Sequence, residues 1–287
     1  MKKFRIKSFC KINLTLKVFK RFKTNYHNIE SLITFCNLYD VITVRKIKGL
    51  SDKIKFSGKF KNKINKKSNT ITKVLHLLRE RNFFKDQAFK IDIQKNIPHG
   101  SGLGGGSSNA ASLLNFFNSK MDLKINKTLL NKIARQIGFD VPINLEKKNT
   151  LLTNKEGKIL RLNNKFRLNI LIVYPNIICS TRKIFTRNKK FTLSKSQSNY
   201  YTQNKKKLIN FLKKERNDLE EIVVKFYPKV GKIIDFIRLQ NDCYFSRITG
   251  SGSACIGIFS NQKSAVSAKK LIRSKFPNHW CFVSKTI

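Results

Sequence analysis

The chain has 287 residues, enough for about two domains of ordinary size. Its 40% of hydrophobic residues can form packed cores, which excludes disorder as the global state. The formal net charge of +44 is typical of proteins that bind a polyanion, so nucleic-acid binding is one alternative function.

The basic residues themselves argue against a nucleic-acid footprint. Of the 60 basic residues, 46 are lysines, scattered along the chain among many Asn, Ile and Phe residues. A/T-rich codons favour all four types, whereas direct base readout favours arginine. We therefore expect a solvated basic surface and no specific nucleic-acid partner.

Other patterns exclude further classes of protein. No apolar run approaches the ~20 residues of a membrane span, and Lys7, Lys11 and Lys17 interrupt any signal-peptide core. The six cysteines and four histidines are scattered, without a CxxC pair. This usage predicts reduced thiols, no protein-held metal and a cytoplasmic location.

Hydrophobic periodicity predicts the elements in chain order. In the first half we expect strands at 11–19, 31–35, 41–47 and 88–94, and helices at 70–81 and 127–137. In the second half we expect strands at 159–162 and 168–174, a long exposed loop at 186–206, helices at 205–214, 218–225 and 230–239, a hairpin of 244–248 with 254–259, a helix at 264–276 and a strand at 280–283. This mixture indicates an α+β protein.

The most unusual segment lies between the strand at 88–94 and a helix that contains Ala110, Ala111, Leu113, Leu114 and Phe117. Five glycines fall within residues 100–106, and residues 96–119 contain no Asp, Glu, Lys or Arg. Successive glycine N–H groups can surround phosphate oxygens, and a following helix N-terminus adds its positive dipole. The segment therefore predicts a phosphate-binding loop.

Three phosphate motifs compete for this loop. A Walker A loop needs a lysine after the glycines, and none follows here. Gly100, Gly102 and Gly105 fit the dinucleotide fingerprint, but the residues before Asp122 do not form the strand that this fold requires. The third motif fits best: residues 98–111, PHGSGLGGGSSNAA, resemble the phosphate loop of the GHMP kinase superfamily.

The doubled glycine before Ser107 narrows the resemblance to the 4-diphosphocytidyl-2-C-methyl-D-erythritol kinases of the non-mevalonate isoprenoid pathway. Further blocks resemble this family in order along essentially the whole chain: 11–14, 26–42, 138–142, 180–185, 217–220 and 249–254. The resemblance implies a two-domain α+β GHMP kinase fold. Residues 1–153 would form an ATP-binding domain like ribosomal protein S5 domain 2, and residues 154–287 a ferredoxin-like substrate domain.

The resemblance also implies the site residues. Lys11 and Asp140 would be catalytic, with Asp140 taking the proton of the 2-hydroxyl and Lys11 holding Asp140 ionised. ATP with Mg²⁺ would bind the residues of the loop: Pro98, His99, Gly100, Ser101, Gly102, Leu103, Gly104, Gly105, Gly106, Ser107 and Ser108. Independently of the resemblance, serine commonly caps the start of a helix, so we also expect Ser107 and Ser108 to cap this one. Asn109 stands where an acid is often seen, so we expect Mg²⁺ to arrive on the phosphates of ATP.

The substrate implied is a cytidine diphosphate-linked polyol. Tyr26 and Phe185 would sandwich the cytosine ring, and His27 would read its edge. The remaining predicted contacts are Asn13, Thr181, Gly250 and Ser251. The resemblance leaves the oligomer open, as a monomer or homodimer, and the nearest alternative activity is another GHMP kinase, acting on homoserine or mevalonate.

Overall fold

The computed structural model describes residues 2–21, 27–49, 51–62, 64–65, 67–84, 87–153, 158–164, 166–189, 191–193 and 199–287. Contacts divide the chain into two units, each built from several segments. The first unit contains Met1–Lys11, Leu38–His99 and Gly104–Lys147, and the second contains Ile12–Asn37, Gly100–Leu103 and Lys148–Ile287. The predicted division after residue 153 stays a prediction.

Strands of the first unit form its sheet. They are β1 (Lys3–Asn13, as far as Lys11), the second half of β3 (His27–Ile47), β4 (Lys53–Ser57) and β5 (Ala88–Gln94). β3 pairs antiparallel with β5, with Val41 opposite Gln94, and β4 runs parallel to β5. The predicted strand at 88–94 is confirmed. It could be predicted because its signal is local: buried Phe89, Ile91 and Ile93 alternate with more exposed polar residues.

Among the described residues of the first unit, three α-helices complete the core: α1 (Thr70–Arg79), α2 (Gly105–Lys120) and α3 (Lys127–Ile137). The Asn69 side chain starts α1 by accepting the N–H groups of Ile71 and Thr72. The core is rich in aromatic rings, with Phe84, Phe89 and Phe117 packed 4.8–4.9 Å apart between centroids. Helix α2 is buried along most of its length, which fits its run of Ala, Leu and Phe residues.

The second unit contains two groups of strands. The first half of β3 pairs antiparallel with β2 (Lys17–Arg21) and β6 (Thr150–Thr153), and β6 pairs with β7 (Lys158–Arg161). A separate four-stranded antiparallel sheet contains β8 (Asn169–Tyr174), β9 (Cys243–Ile248), β10 (Cys255–Phe259) and β11 (Trp280–Lys285). Its strand order is β11-β8-β10-β9.

Five helices belong to the second unit in its described part: α4 (Thr181–Arg187), α5 (Lys205–Lys214), α6 (Glu220–Phe226), α7 (Pro228–Arg238) and α8 (Gln262–Lys275). Helices α7 and α8 pack on the four-stranded sheet through buried stripes of Val, Ile and Ala. The predicted α+β mixture is confirmed, as is the hairpin now seen as β9 and β10. No helix in the described residues is long and apolar enough to cross a membrane.

Several element predictions were wrong in detail. The predicted strand at 11–19 is broken, because Leu14 N–H bonds to the Leu32 carbonyl while Leu16 N–H bonds to the Arg216 carbonyl. The two predicted strands at 31–35 and 41–47 are one continuous strand, β3. Strand β4 and helix α4 were not predicted.

The predicted exposed loop at 186–206 was also wrong in part, while residues 190 and 194–198 of that range lie outside the described residues. Tyr200 is only 1% exposed, and its hydroxyl donates to Glu30 Oε1 at 2.8 Å. This contact fixes Tyr200 of the short turn Asn199–Tyr201 in the core, and sequence periodicity gives no sign of it.

Candidate active site

The glycine-rich loop adopts backbone conformations that only glycine accepts easily. Gly100, Gly102 and Gly104 have φ values of +65°, +83° and +68°. A Cβ at Gly102 would lie 2.1 Å from the Thr249 carbonyl oxygen, and one at Gly104 would lie 2.7 Å from Lys11 Cγ. The glycines therefore let the backbone pack closely, which is the geometry expected of a loop that binds through main-chain groups.

Helix α2 begins directly after the last of these glycines. Gly104 occupies the N-cap position and makes no side-chain capping hydrogen bond. The N-terminal N–H groups of this 16-residue helix therefore carry the positive end of its dipole without a side-chain cap, an arrangement that favours an anion. Gly106 is exposed and Ser107 half-buried at this end.

The prediction that Ser107 and Ser108 cap the helix was wrong, because the cap position falls earlier, at Gly104. The Ser108 hydroxyl instead donates to the Phe9 carbonyl at 2.5 Å and accepts from Ser8 Oγ at 2.9 Å. Ser108 thus fastens α2 to β1. Its predicted contact with ATP stays a prediction.

A buried ion pair links the two segments that flank the loop in sequence. Lys95 Nζ contacts the Asp40 carboxylate and donates to Asn109 Oδ1 at 2.6 Å. Asp40 Oδ1 also accepts the N–H groups of Asn96 and Ile97, at 2.7 and 2.9 Å. Burial lowers the pKa of Lys95, which the charge of Asp40 opposes. The network joins the end of β5, just before the loop, to the first turns of α2, just after it.

This network explains Asn109. Its Nδ2 donates to Asp40 Oδ2 and to Ser8 Oγ, both at 3.0 Å, and the side chain is buried. Asn109 is therefore part of this buried network rather than a residue turned toward a metal. Sequence reasoning missed Lys95 as a functional residue, since it is one of 46 lysines and its partner Asp40 lies 55 positions away.

The two predicted catalytic residues lie together. Lys11 Nζ is 3.5 Å from Asp140 Oδ2, and the side chains are 6% and 36% exposed. Asp140 follows α3 in a turn that leads to a short 3-10 helix, Pro142–Leu145. Asn144 Nδ2 donates to the Asp140 carbonyl at 2.7 Å and so fixes the backbone of that turn. The result is a buried cation beside a carboxylate that solvent and small molecules can reach.

Several predicted substrate residues of the second unit are also brought together. Asn13 N–H donates to Thr249 Oγ1 at 2.8 Å, and its Nδ2 donates to Ser31 Oγ at 2.7 Å. The hydroxyls of Thr181 and Ser251 are hydrogen-bonded at 2.9 Å. Gly250 has φ +59°, and a Cβ at this position would lie 3.0 Å from the Gly102 carbonyl oxygen.

The predicted base-reading residues are placed in part. The rings of His27 and Phe185 lie 5.2 Å apart between centroids, with an angle of 46° between their planes. Phe185 stands on α4, whose N-cap Ser180 accepts the Lys183 N–H. Tyr26, the predicted partner of Phe185, lies outside the described residues.

Comparison with known proteins agrees with these motifs. The family model of the GHMP kinases N terminal domain matches residues 69–146, and that of the GHMP kinases C terminal domain matches residues 203–278. The chain is 40% identical to the 4-diphosphocytidyl-2-C-methyl-D-erythritol kinase of Pelagibacter ubique (strain HTCC1062), over 100% of each chain.

Solved structures show the same fold. A crystal structure of 4-(cytidine 5'-diphospho)-2C-methyl-D-erythritol kinase matches with a TM-score of 0.76 and 21% identity, covering 99% of each chain. The homoserine kinase of Cytophaga hutchinsonii ATCC 33406 matches with a TM-score of 0.75 and 14% identity, covering 100% of this chain and 95% of the other. The predicted GHMP kinase fold is confirmed, but two nearly equal scores show that the fold alone does not separate the acceptor substrates.

Proposed function

The chain belongs to the 4-diphosphocytidyl-2-C-methyl-D-erythritol kinases of the GHMP kinase family, and from that premise we propose which reaction it catalyses. It transfers the terminal phosphoryl group of ATP to the 2-hydroxyl of 4-diphosphocytidyl-2-C-methyl-D-erythritol, a step of the non-mevalonate isoprenoid pathway. The full-length 40% identity to a kinase of that name supports this acceptor.

One observation carries the proposal furthest. The Lys11 side chain packs against the backbone of Gly104, at the start of α2, and its ammonium lies 3.5 Å from the Asp140 carboxylate. The end of the phosphate loop and the predicted catalytic pair are therefore contiguous within one unit. A kinase needs this combination, because phosphoryl transfer depends on positioning and on electrostatic stabilisation.

The loop fits the phosphates of a nucleotide, since left-handed glycines expose backbone rather than Cβ atoms and α2 lacks a side-chain cap. We assign the phosphates to residues 98–108, with the N–H groups of the first turn of α2 as donors. ATP supplies the phosphoryl group that is transferred. Ser107 contributes a hydroxyl at the start of the helix.

The chemistry at the acceptor falls to Asp140 and Lys11. The Asp140 carboxylate accepts the proton of the 2-hydroxyl as the oxygen attacks phosphorus. Lys11 lies beside that carboxylate, and its positive charge favours the negative charge that develops on the attacking oxygen. The partial exposure of Asp140 supports this role, because the carboxylate must contact the substrate.

We propose that Mg²⁺ enters on the phosphates of ATP. Among the residues that the structure describes, no group of three or more His, Cys, Asp or Glu side chains could hold a metal ion. Magnesium commonly keeps several waters and binds through substrate phosphates with few protein ligands. This arrangement needs no carboxylate at position 109.

The acceptor's recognition follows from the second unit. We assign the cytosine ring to His27 and Phe185, whose rings are close enough to line one binding surface, and to Tyr26. We assign the diphosphate and polyol to Asn13, Thr181, Gly250 and Ser251. We further propose a cytoplasmic monomer or homodimer without a specific nucleic-acid partner.

Acceptor choice tests the proposal. ATP consumption is measured with 4-diphosphocytidyl-2-C-methyl-D-erythritol, homoserine and mevalonate in parallel, and CDP is added as a competitor. We expect turnover with the first acceptor only, and inhibition by CDP that excess acceptor relieves. Turnover with homoserine or mevalonate instead would overturn the proposed acceptor substrate but would leave the assignment as an ATP-dependent kinase intact.

A further inference from the structure

The turn between α5 and α6 ends with Asn217, Asp218 and Leu219, and Glu220 begins α6. The sequence marks these four residues as a family block, but they have no role in the chemistry above. They are not surface residues. Asn217 is 4% exposed, Leu219 is fully buried, and the Asp218 side chain is 3% exposed. Two buried polar side chains in a short turn need a reason, because such groups are costly unless they are fully hydrogen-bonded.

Asn217 uses both ends of its carboxamide to bind local backbone. Its Nδ2 donates to the carbonyls of Gly250 and Ile248, at 2.8 and 3.2 Å, and its Oδ1 accepts the Leu219 N–H at 3.0 Å. Gly250 is a left-handed residue of the glycine turn 249–252. The Asn217 side chain therefore fixes the directions of two carbonyls, one in this turn and one at the end of strand β9, just before it.

The turn that Asn217 holds contains predicted substrate residues. Thr249 Oγ1 accepts the N–H of Asn13, and Ser251 Oγ is bonded to Thr181 Oγ1. A displacement of the Gly250 carbonyl would move these contacts with it, because Thr249, Gly250 and Ser251 are consecutive. The position of Asn217 is thus linked to the residues assigned to the acceptor.

Asp218 makes hydrogen bonds of the same kind with strand β2 and with residues beside it. Its Oδ2 accepts the Val18 N–H at 2.8 Å and the Thr192 hydroxyl at 2.6 Å. The Asp218 N–H donates to the Leu16 carbonyl at 2.8 Å. β2 is the strand that pairs with the start of β3, where Arg21 lies opposite His27. The same turn therefore braces the strand opposite the predicted base-reading histidine.

We propose that Asn217, assisted by Asp218, is a positioning residue for the acceptor substrate, holding the glycine turn 249–252 and β2 in the arrangement that binding requires. This role rests on the proposed function. Asn217 has no assigned contact with ATP or with the reacting atoms. Its loss should therefore weaken use of the acceptor much more than use of ATP.

The test uses Asn217→Asp, which keeps the size of the side chain and the acceptor for Leu219 but turns a carboxylate oxygen toward two carbonyls. Asn204→Asp is the matched control, since it makes the same charge change at the exposed N-cap of α5, where Asn and Asp serve equally well. KM for the acceptor, KM for ATP and kcat are measured for both variants, with the melting temperature of each.

We expect Asn217→Asp to raise the acceptor KM about tenfold or more while the ATP KM stays within about twofold, and Asn204→Asp to change neither. An unchanged acceptor KM, or equal losses for both substrates, would overturn the inference. If Asn217→Asp does not fold, Asp218→Ala decides, because it removes the acceptor of the Val18 N–H and of the Thr192 hydroxyl and should show the same selective rise. A wild-type chain inactive on this acceptor would instead overturn the proposed function.

Discussion

The buried ion pair of Lys95 and Asp40, which joins the segments flanking the phosphate loop, allows a quantitative prediction about the free energy of unfolding. The perturbation is Lys95→Met, which keeps the length of the side chain and removes its charge. The two side chains are 4% and 0% exposed, so the remaining Asp40 carboxylate would stay buried without its cation. The N–H groups of Asn96 and Ile97 and the Asn109 amide would still donate to it.

The magnitude follows from these contacts. Removing one partner of a buried ion pair usually costs about 3–5 kcal/mol, and the three remaining donors place Lys95→Met near the lower end, at about 3 kcal/mol. The double variant Lys95→Met with Asp40→Asn leaves no buried charge, while the Asn oxygen still accepts from residues 96 and 97. We therefore expect it to recover about 1 kcal/mol or more relative to the sum of the single changes.

Urea unfolding measures both effects, with an unchanged m value as the sign that the folded state is comparable. Lys124→Met is the control, because Lys124 and its partner Asp122 are both more than 80% exposed and should be worth less than about 1 kcal/mol. A cost for Lys95→Met no larger than that of Lys124→Met would refute the reasoning, as would strictly additive single changes.

Three further predictions concern the loop, the thiols and the charge. Gly102→Ala should weaken ATP binding and lower the free energy of unfolding by about 2–4 kcal/mol, since its Cβ would meet the Thr249 carbonyl oxygen at 2.1 Å. Gly49→Ala is the control, because Gly49 has φ +122° and no atom within 4 Å of the added Cβ, so it should cost only the backbone strain. Equal costs for the two variants would contradict the account. Burial raises the pKa of the Cys179 and Cys243 thiols from 9.0 to about 11. The stability that these protonated thiols contribute is therefore complete below pH 9 and is lost as the pH rises toward 11. At pH 8 the Cys179 thiol of the native protein should resist iodoacetamide, whereas the urea-unfolded chain should react. Rapid alkylation of Cys179 in the native protein would contradict this. The +44 charge should make the KM for ATP rise with salt between about 20 and 200 mM, and a flat profile would mean that the charge does not attract the nucleotide.

Local patterns in the sequence predicted the elements whose signals are local. The bounds of α3 and α5 are as expected, because each has an Asn side chain as its N-cap and Gly138 ends α3. The hairpin of β9 and β10 is marked by short runs with aromatic and Ile residues on either side of a glycine turn. These features depend on neighbours within a few residues.

What could not be predicted depends on distant partners. The sequence places Asp40 between two predicted strands, yet it lies buried inside the continuous strand β3 because Lys95 and two N–H groups pair with it. Lys11 was chosen among 46 lysines only through the family resemblance, and its burial beside Asp140 is evident only in the fold. The role of Asn217 was equally invisible, since its partners lie 31 and 33 positions away.

The central claim is that Asp140 accepts the proton of the acceptor hydroxyl. A single-turnover assay of phosphoryl transfer from ATP to 4-diphosphocytidyl-2-C-methyl-D-erythritol tests it most directly, comparing wild type with Asp140→Asn and measuring ATP affinity for both. We predict that Asp140→Asn loses at least about 10²–10⁴-fold in the transfer rate while its ATP affinity stays within about twofold. Transfer at the wild-type rate by Asp140→Asn would contradict the claim.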